Sequence, residues 1–257
     1  MIGPRAVIRR LRTYLRKPPT PAEERKAIGW FRDNLYFPEL RLGFVTVPKA
    51  ANTSLKYAIL ESLPESARQP LLARITEAGT RQGIHRALRA SAYRCGRERL
   101  LEPDVDHVLA TVRHPEARLK SFYVDKVLGD GWPERLRVKV ARLYGIDAQT
   151  SFEAFVARLA DIPDDECELH FRSQAEIIGA DLLGDPRLCI LRTECLAGDF
   201  RAAMFRTGLG LGTPRMENAK AGAEVSVSSR GRALIERRFA QDYALFYRAG
   251  EITALAG

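Results

Sequence analysis

Lys49 stands at the end of a short apolar run, Phe44 to Val47 closed by Pro48, and Ala50, Ala51, Asn52, Thr53 and Ser54 follow it before a helical pattern begins. A strand, a tight turn and a helix N-terminus in that order bind phosphate, because the turn's N–H groups and the positive end of the helix both favour an anion. A second basic segment lies downstream. His107 to Arg113 reads as another buried strand, and Pro115 suits the first turn of the helix after it, where its missing N–H leaves no partner unpaired. Arg113 then sits at the strand's carboxyl end and Ser121 about two turns into the helix. A guanidinium binds phosphate oxygens through two parallel hydrogen bonds, and a serine hydroxyl adds a further contact. The histidines, at 85, 107, 114 and 170, have the pKa suited to take a proton near neutral pH.

The first segment departs from the loop of nucleoside triphosphatases, which is glycine-rich and sets Lys directly before Ser/Thr. Here Lys49 precedes the turn, and no glycine occurs between 44 and 78. Pro48 to Ser54 closely matches the Pro-Lys-x-x-x-[Ser/Thr]-[Ser/Thr] form of the 5′-phosphosulfate loop of carbohydrate sulfotransferases. These enzymes use 3′-phosphoadenosine 5′-phosphosulfate (PAPS) as sulfuryl donor. Arg113, Pro115, Arg118, Ser121 and Tyr123 match the family's 3′-phosphate signature, Arg-x-Pro-x-x-Arg-x-x-Ser-x-Tyr. Cys167 to Gln174 resembles the family's His-Trp-x-Pro-Gln segment, with His170 and Gln174 matching and Phe171 and Ser173 departing. Leu191 to Phe200 looks like its strand-end Arg/Glu segment. Ile235 to Phe246 is similar to its C-terminal Tyr-x-x-Asp-[Tyr/Phe]-x-x-[Phe/Tyr] helix, with Phe239 at the first aromatic position. The resemblance runs from about residue 40 to 248, and its two phosphate motifs are specific when taken together.

The resemblance implies a P-loop-type three-layer α/β sandwich with a central parallel sheet, the sulfotransferase variant. It implies transfer of a sulfuryl group from PAPS to a hydroxyl of a carbohydrate or glycolipid. Lys49 would meet the charge growing on the leaving phosphate. Ala50, Ala51, Asn52, Thr53 and Ser54 would hold the 5′-phosphate, and Arg113 and Ser121 the 3′-phosphate. The scheme requires no metal. The acceptor hydroxyl needs a base. His85 is the first candidate, because related uronosyl 2-O-sulfotransferases carry their base between the two motifs, though the residues flanking His85 differ. His170 is the second, and a carboxylate such as Glu77 or Glu102 follows. His107 reads as a packed strand residue and His114 as a loop residue beside the 3′ motif.

The elements that must position these groups follow from hydrophobic patterning. A strand over 41–47 and a helix from Thr53 to about Leu63 form the first βα unit. Residues 64–104 read as mostly helical, with Leu71, Leu72, Ile75, Leu88, Leu100 and Leu101 as core candidates. A helix is predicted over about 134–143, and another after Thr150, which with Glu153 fits a capping box. A third strand spans 187–192, a helix lies near 199–208, and one long helix runs from about Ser229 to Arg248. Strands separated by helices indicate a parallel sheet covered on both faces. Ligands in such sheets sit at the carboxyl ends of the strands, where Lys49 and Arg113 both fall. The glycine-bearing stretch 207–223 reads as a loop able to cover the site.

At 257 residues the chain suits one domain, taken as 29–257, preceded by a basic helical extension over 1–28. Val7, Ile8, Leu11, Tyr14 and Leu15 recur there at helical spacing among basic residues, a pattern for packing on the domain or for membrane-surface contact. No run approaches the roughly 18 apolar residues of a membrane span. The lack of the N-terminal anchor usual in animal carbohydrate sulfotransferases predicts a cytoplasmic, bacterial-type enzyme. Cys95, Cys167, Cys189 and Cys195 lack metal-ligand or redox spacing and read as reduced thiols. The net charge of +9 suits a donor with two phosphate-bearing ends, and no nucleic-acid motif accompanies it. Two other readings compete. An ATP-dependent kinase would need a Gly-Lys-Ser/Thr loop and an acidic magnesium site, and the loop is missing. A non-enzymatic anion-binding module would explain the charge but not two ordered phosphate motifs.

Overall fold

The computed structural model describes residues 19–28, 33–79, 82–214 and 225–247. The expected helix over residues 7–15 lies outside these. The first described element is helix α1 (Pro21–Ile28). Pro21 opens it, and Thr20 and Glu23 form a reciprocal capping box: the Thr20 N–H reaches Glu23 Oε2 at 2.7 Å and the Glu23 N–H reaches Thr20 Oγ1 at 3.3 Å.

Five strands form one sheet in the order β3-β1-β2-β4-β5. Its strands are β1 (Asn34–Phe37), β2 (Leu42–Val45), β3 (Arg94–Cys95), β4 (His107–Val112) and β5 (Leu188–Arg192). β2, β4 and β5 run parallel, in the register Phe44 to Leu109 and Leu109 to Cys189. β1 pairs antiparallel with both β2 and β3, so the sheet is mixed and not wholly parallel as expected. β1 has only four residues and turns into β2 without an Asn-Gly or Asp-Gly signal, so its pattern is not visible in the sequence. The turn is made by a short 3-10 segment, Pro38–Leu40, and by Arg41 in the left-handed conformation (φ 47°).

Side chains alternate across the strands, so each face carries its own core. Leu42, Phe44, Leu109 and Leu191 face α2 (Asn52–Ser62), α3 (Glu65–Ala78) and α4 (Gly83–Arg89) through Leu55, Ile59, Leu71 and Ile84. Val45, Val108, Ala110 and Val112 face the opposite side. A separate helical cluster is built by α5 (Pro115–Phe122), α6 (Glu134–Tyr144) and α7 (Phe152–Leu159) around Phe122, Phe155 and Phe171. Two short helices, α8 (Gln174–Ile178) and α9 (Ala180–Leu183), cover the second face of the sheet through Ala175, Ile178 and Leu182. α10 (Leu196–Thr207) returns to the first face through Phe200 and Ala203. The result is three layers, with each fully buried Leu or Phe contributing about 1.5–3 kcal/mol.

Three local expectations are corrected. Leu72 and Leu101, expected in the core, are exposed. α7 is capped by Ser151, whose hydroxyl accepts from the Ala154 N–H, while Thr150 instead donates to Asp147 at 2.8 Å. The predicted C-terminal helix is two, α11 (Ser229–Arg238) and α12 (Ala240–Phe246), because Phe239 leaves helical geometry at φ −112° and ψ 26°. That break seats Phe239 in the helical cluster and Phe246 against the sheet. All four cysteines are free thiols. Among the described residues no helix is long and apolar enough to cross a membrane.

Candidate functional site

β2 and β4 are adjacent and parallel, so the loops leaving their carboxyl ends meet. The loop after β2 places Lys49 and Ala51 in the left-handed region, at φ 66° and 52°. Non-glycine residues held there are strained by about 1–3 kcal/mol each and persist where surroundings dictate them. Here the surroundings are identifiable. Asn52 Nδ2 donates to Val47 O at 2.6 Å, and its Oδ1 accepts from Thr111 Oγ1 on β4 at 3.3 Å. The Asn52 side chain therefore clamps the loop rather than facing outward. Ala51 at the N-cap has no side-chain acceptor, so no cap occupies the N–H groups of Asn52, Thr53 and Ser54. An uncapped first turn leaves these donors and the positive end of the helix dipole open to an anion.

Arg113 arrives at the same place from β4, with its Nη1 donating to Lys49 O at 3.4 Å. Its backbone is gripped from both sides by Gln174, which accepts from the Arg113 N–H at 2.8 Å and donates to its carbonyl at 2.8 Å. Gln174 is held in turn by Asp242, a fully buried carboxylate that accepts the N–H groups of Gln174 and Ala175, each at 2.9 Å. Burial raises the Asp242 pKa against these bonds. Burial likewise lowers that of Arg113, with Glu194 and Tyr247 opposing it. Arg118, which matched the 3′-phosphate signature, does something else. It is 1% exposed and donates to the carbonyls of Pro48, Leu169 and Arg172 at 3.0, 3.1 and 2.7 Å. It ties the loop to the segment around His170 and has no face left for a ligand. Ser121 is half-buried in the last turn of α5.

The helix begun by α5 widens into a π-helical stretch, Tyr123–Leu128, a distortion common at functional sites. It brings Asp125 and Lys126 across from the loop. Asp125 pairs with Lys49 at 3.0 Å and with Lys126 at 3.1 Å, and Lys126 also donates to Gly131 O at 2.5 Å. Burial lowers the Lys49 pKa, and Asp125 offsets this only in part. Burial acts to raise that of Asp125, but Lys49 and Lys126 together hold it below the usual carboxylate range.

The histidines separate into two groups. His85 reaches Thr53 Oγ1 with Nε2 at 3.0 Å and Lys56 Nζ with Nδ1 at 3.1 Å. Burial and the nearby Lys56, Arg89, Lys126 and His170 push its pKa down to about 3. His170 sets its Nδ1 3.0 Å from both oxygens of Glu168 and lies beside Phe122 and Trp132, ring centroids 5.9 and 6.0 Å away. His114 packs edge-on against Tyr243 and Tyr247 and donates its N–H to Glu194. Its pKa is lowered by burial. His107 opens β4, at the far end of the sheet. Glu102 precedes that same end, and Glu77 is exposed in the last turn of α3.

Lys49, the 50–54 loop, Arg113, His85 and His170 thus gather at one edge, while Glu77 and Glu102 do not join them. Asp125, Lys126, Lys56, Glu168 and Trp132 belong to the same region and were not singled out from sequence. Only Glu168 carried a readable signal, an acidic residue two positions before a candidate histidine. Among the described residues no group of three or more His, Cys, Asp or Glu side chains is arranged to hold a metal ion. In comparisons with known proteins, no family model, no curated protein and no solved structure matches the chain.

Proposed function

We propose that this protein is a PAPS-dependent sulfotransferase, on the sulfotransferase variant of the P-loop α/β sandwich, acting on a hydroxyl of a carbohydrate or glycolipid. The observation that carries the reading is the meeting of Lys49 and Arg113 at the carboxyl ends of adjacent parallel strands, with the guanidinium on the carbonyl of Lys49 at 3.4 Å. Two such groups joined so closely suit a donor with phosphates on the 3′ and 5′ positions of one ribose. The loop N–H groups and the uncapped start of α2 hold the 5′-phosphate, and Arg113 with Ser121 holds the 3′-phosphate. Lys49 moves from Asp125 to the bridging oxygen, where charge appears as the sulfuryl group departs. The acceptor oxygen bonds to sulfur, the bond from sulfur to the phosphate oxygen breaks, and the electron pair leaves with the 3′,5′-diphosphate. The basic charge of the chain favours both the donor and an acidic acceptor.

Calorimetric titration of PAPS, the 3′,5′-diphosphate and ATP against the pure protein tests this. PAPS and the diphosphate are expected to bind, with ATP much weaker for want of a 3′-phosphate. Binding of ATP that depends on magnesium, with no preference for the diphosphate, would refute the reading in favour of a kinase.

A further inference from the structure

His85 and His170 both border the site, and their ring nitrogens are committed in opposite ways. On His85 both are engaged, one by Thr53 Oγ1 and one by Lys56 Nζ. A charged lysine can only donate, so Nδ1 accepts from Lys56, Nε2 carries the hydrogen, and Thr53 receives it. No lone pair is left for an incoming hydroxyl. Thr53, accepting from the ring, keeps its own hydroxyl hydrogen to donate elsewhere.

On His170 only one nitrogen is committed. Glu168, 6% exposed, takes the His170 backbone N–H at 2.7 Å and both its oxygens lie 3.0 Å from Nδ1. A carboxylate only accepts, so Nδ1 carries the hydrogen and the lone pair is on Nε2. Nε2 has no hydrogen-bond partner among the described residues, and the side chain is 25% exposed. Phe122 and Trp132, which also touch each other, pack beside the ring. A carboxylate, an oriented imidazole and an open second nitrogen are the parts of a general base held in one tautomer.

We propose that His170, oriented by Glu168, is the general base that takes the acceptor proton, and that His85 is a positioning residue for Thr53 in the donor loop. The inference rests on the sulfotransferase reading. His170 Nε2 removes the hydroxyl proton as the oxygen bonds to sulfur, and the pair displaced from sulfur goes to the phosphate facing Lys49. The charged and titratable groups around His170 are Glu168 on its own segment, the buried Arg118 from α5 beneath it, and His85 from α4.

Imidazole nitrogen NMR on the full chain reads the tautomers without any acceptor. Neutral His170 is expected with its hydrogen on Nδ1, and Glu168→Gln is expected to mix its tautomers while leaving diphosphate affinity unchanged. Sulfate release from PAPS into water should fall about 10²–10⁴-fold in His170→Ala, the usual contribution of a general base. That variant should also lose the limb of the pH–rate profile that reports the base, with diphosphate affinity retained. His85→Ala should do the reverse, weakening the diphosphate and keeping the limb. A neutral His170 with its hydrogen on Nε2 overturns the assignment. So does a His85→Ala variant that binds diphosphate normally and loses the limb. Wild-type protein that binds no diphosphate overturns the sulfotransferase reading instead, and the His170 tautomer is then judged separately on the nucleotide-free chain.

Discussion

Lys56 carries its ammonium into the protein at 4% exposure, and among the described residues its one hydrogen-bond partner is His85 Nδ1 at 3.1 Å. Burial lowers its pKa from 10.5 to about 8, with Asp33 opposing the drop and Arg89 adding to it. At about 1.4 kcal/mol per pH unit, keeping this lysine charged at neutral pH costs the folded chain roughly 3 kcal/mol. Methionine has similar length and no charge, so it removes that cost, but it also leaves the buried His85 Nδ1 without its donor, which costs about 1–3 kcal/mol. Lys56→Met should therefore gain about 0–2 kcal/mol at pH 7, raising Tm by at most roughly 5 °C for a chain of this size. The sign of the pH dependence follows from proton counting. Between about pH 8 and 10.5 the unfolded chain still binds a proton that the folded one has released, so wild-type stability rises with pH across that window. The methionine variant's advantage should be full below pH 8 and fade toward pH 10.5. Urea unfolding followed by circular dichroism, on both proteins at pH 7 and pH 10, measures the difference. A stability difference between the two proteins that is the same at pH 7 and pH 10, or that moves in the variant's favour at pH 10, would refute the claim that Lys56 is a buried charge held at a cost. The same variant should bind the 3′,5′-diphosphate several-fold more weakly, since it removes the cation that orients His85 and, through it, Thr53.

Lys49→Ala should reduce sulfuryl transfer on the order of 100-fold or more, as loss of an electrostatic transition-state contact does; wild-type turnover would remove Lys49 from the chemistry. Arg113→Ala should weaken the 3′,5′-diphosphate by roughly 2–3 kcal/mol while barely affecting a nucleotide without the 3′-phosphate, and calorimetry showing equal losses for both would make Arg113 structural. Asp125→Asn should tighten diphosphate binding by about 0.2–1 kcal/mol, because the half-exposed carboxylate competes with the donor for Lys49. Weaker binding in that variant would mean that Asp125 helps to hold Lys49 in place for the donor.

The elements most legible in the sequence were those whose signal is local. β4 and β5 stand out as apolar runs between turns, and α2 and α6 as patterned helices with clear starts. β1 and β3 were not legible, because strands of four and two residues are defined by the partner they bond to and not by their own pattern. The break at Phe239 was hidden for a related reason. The apolar spacing from Leu234 to Phe246 fits one continuous helix, while Phe239 and Phe246 belong to different cores.

For the site, the sequence alone determined the groups on which the proposed function draws: Lys49 after a strand, small and hydroxyl residues entering a helix, and Arg113 at a second strand's end. Such groups are recognisable because the backbone that presents them is contiguous with them. The chain by itself did not decide which groups stay available. Arg118 and Asn52 look like ligands in one dimension, and only packing shows their polar atoms spent on the carbonyls of Pro48, Leu169, Arg172 and Val47. Nor could spacing distinguish His85 from His170. That choice depends on Lys56 and Thr53 closing one ring and Glu168 opening the other, contacts set by how α2, α4 and the 167–174 segment pack together. A side chain's chemistry is written in its type, but its free lone pairs and hydrogens are what remain after tertiary structure has satisfied the rest.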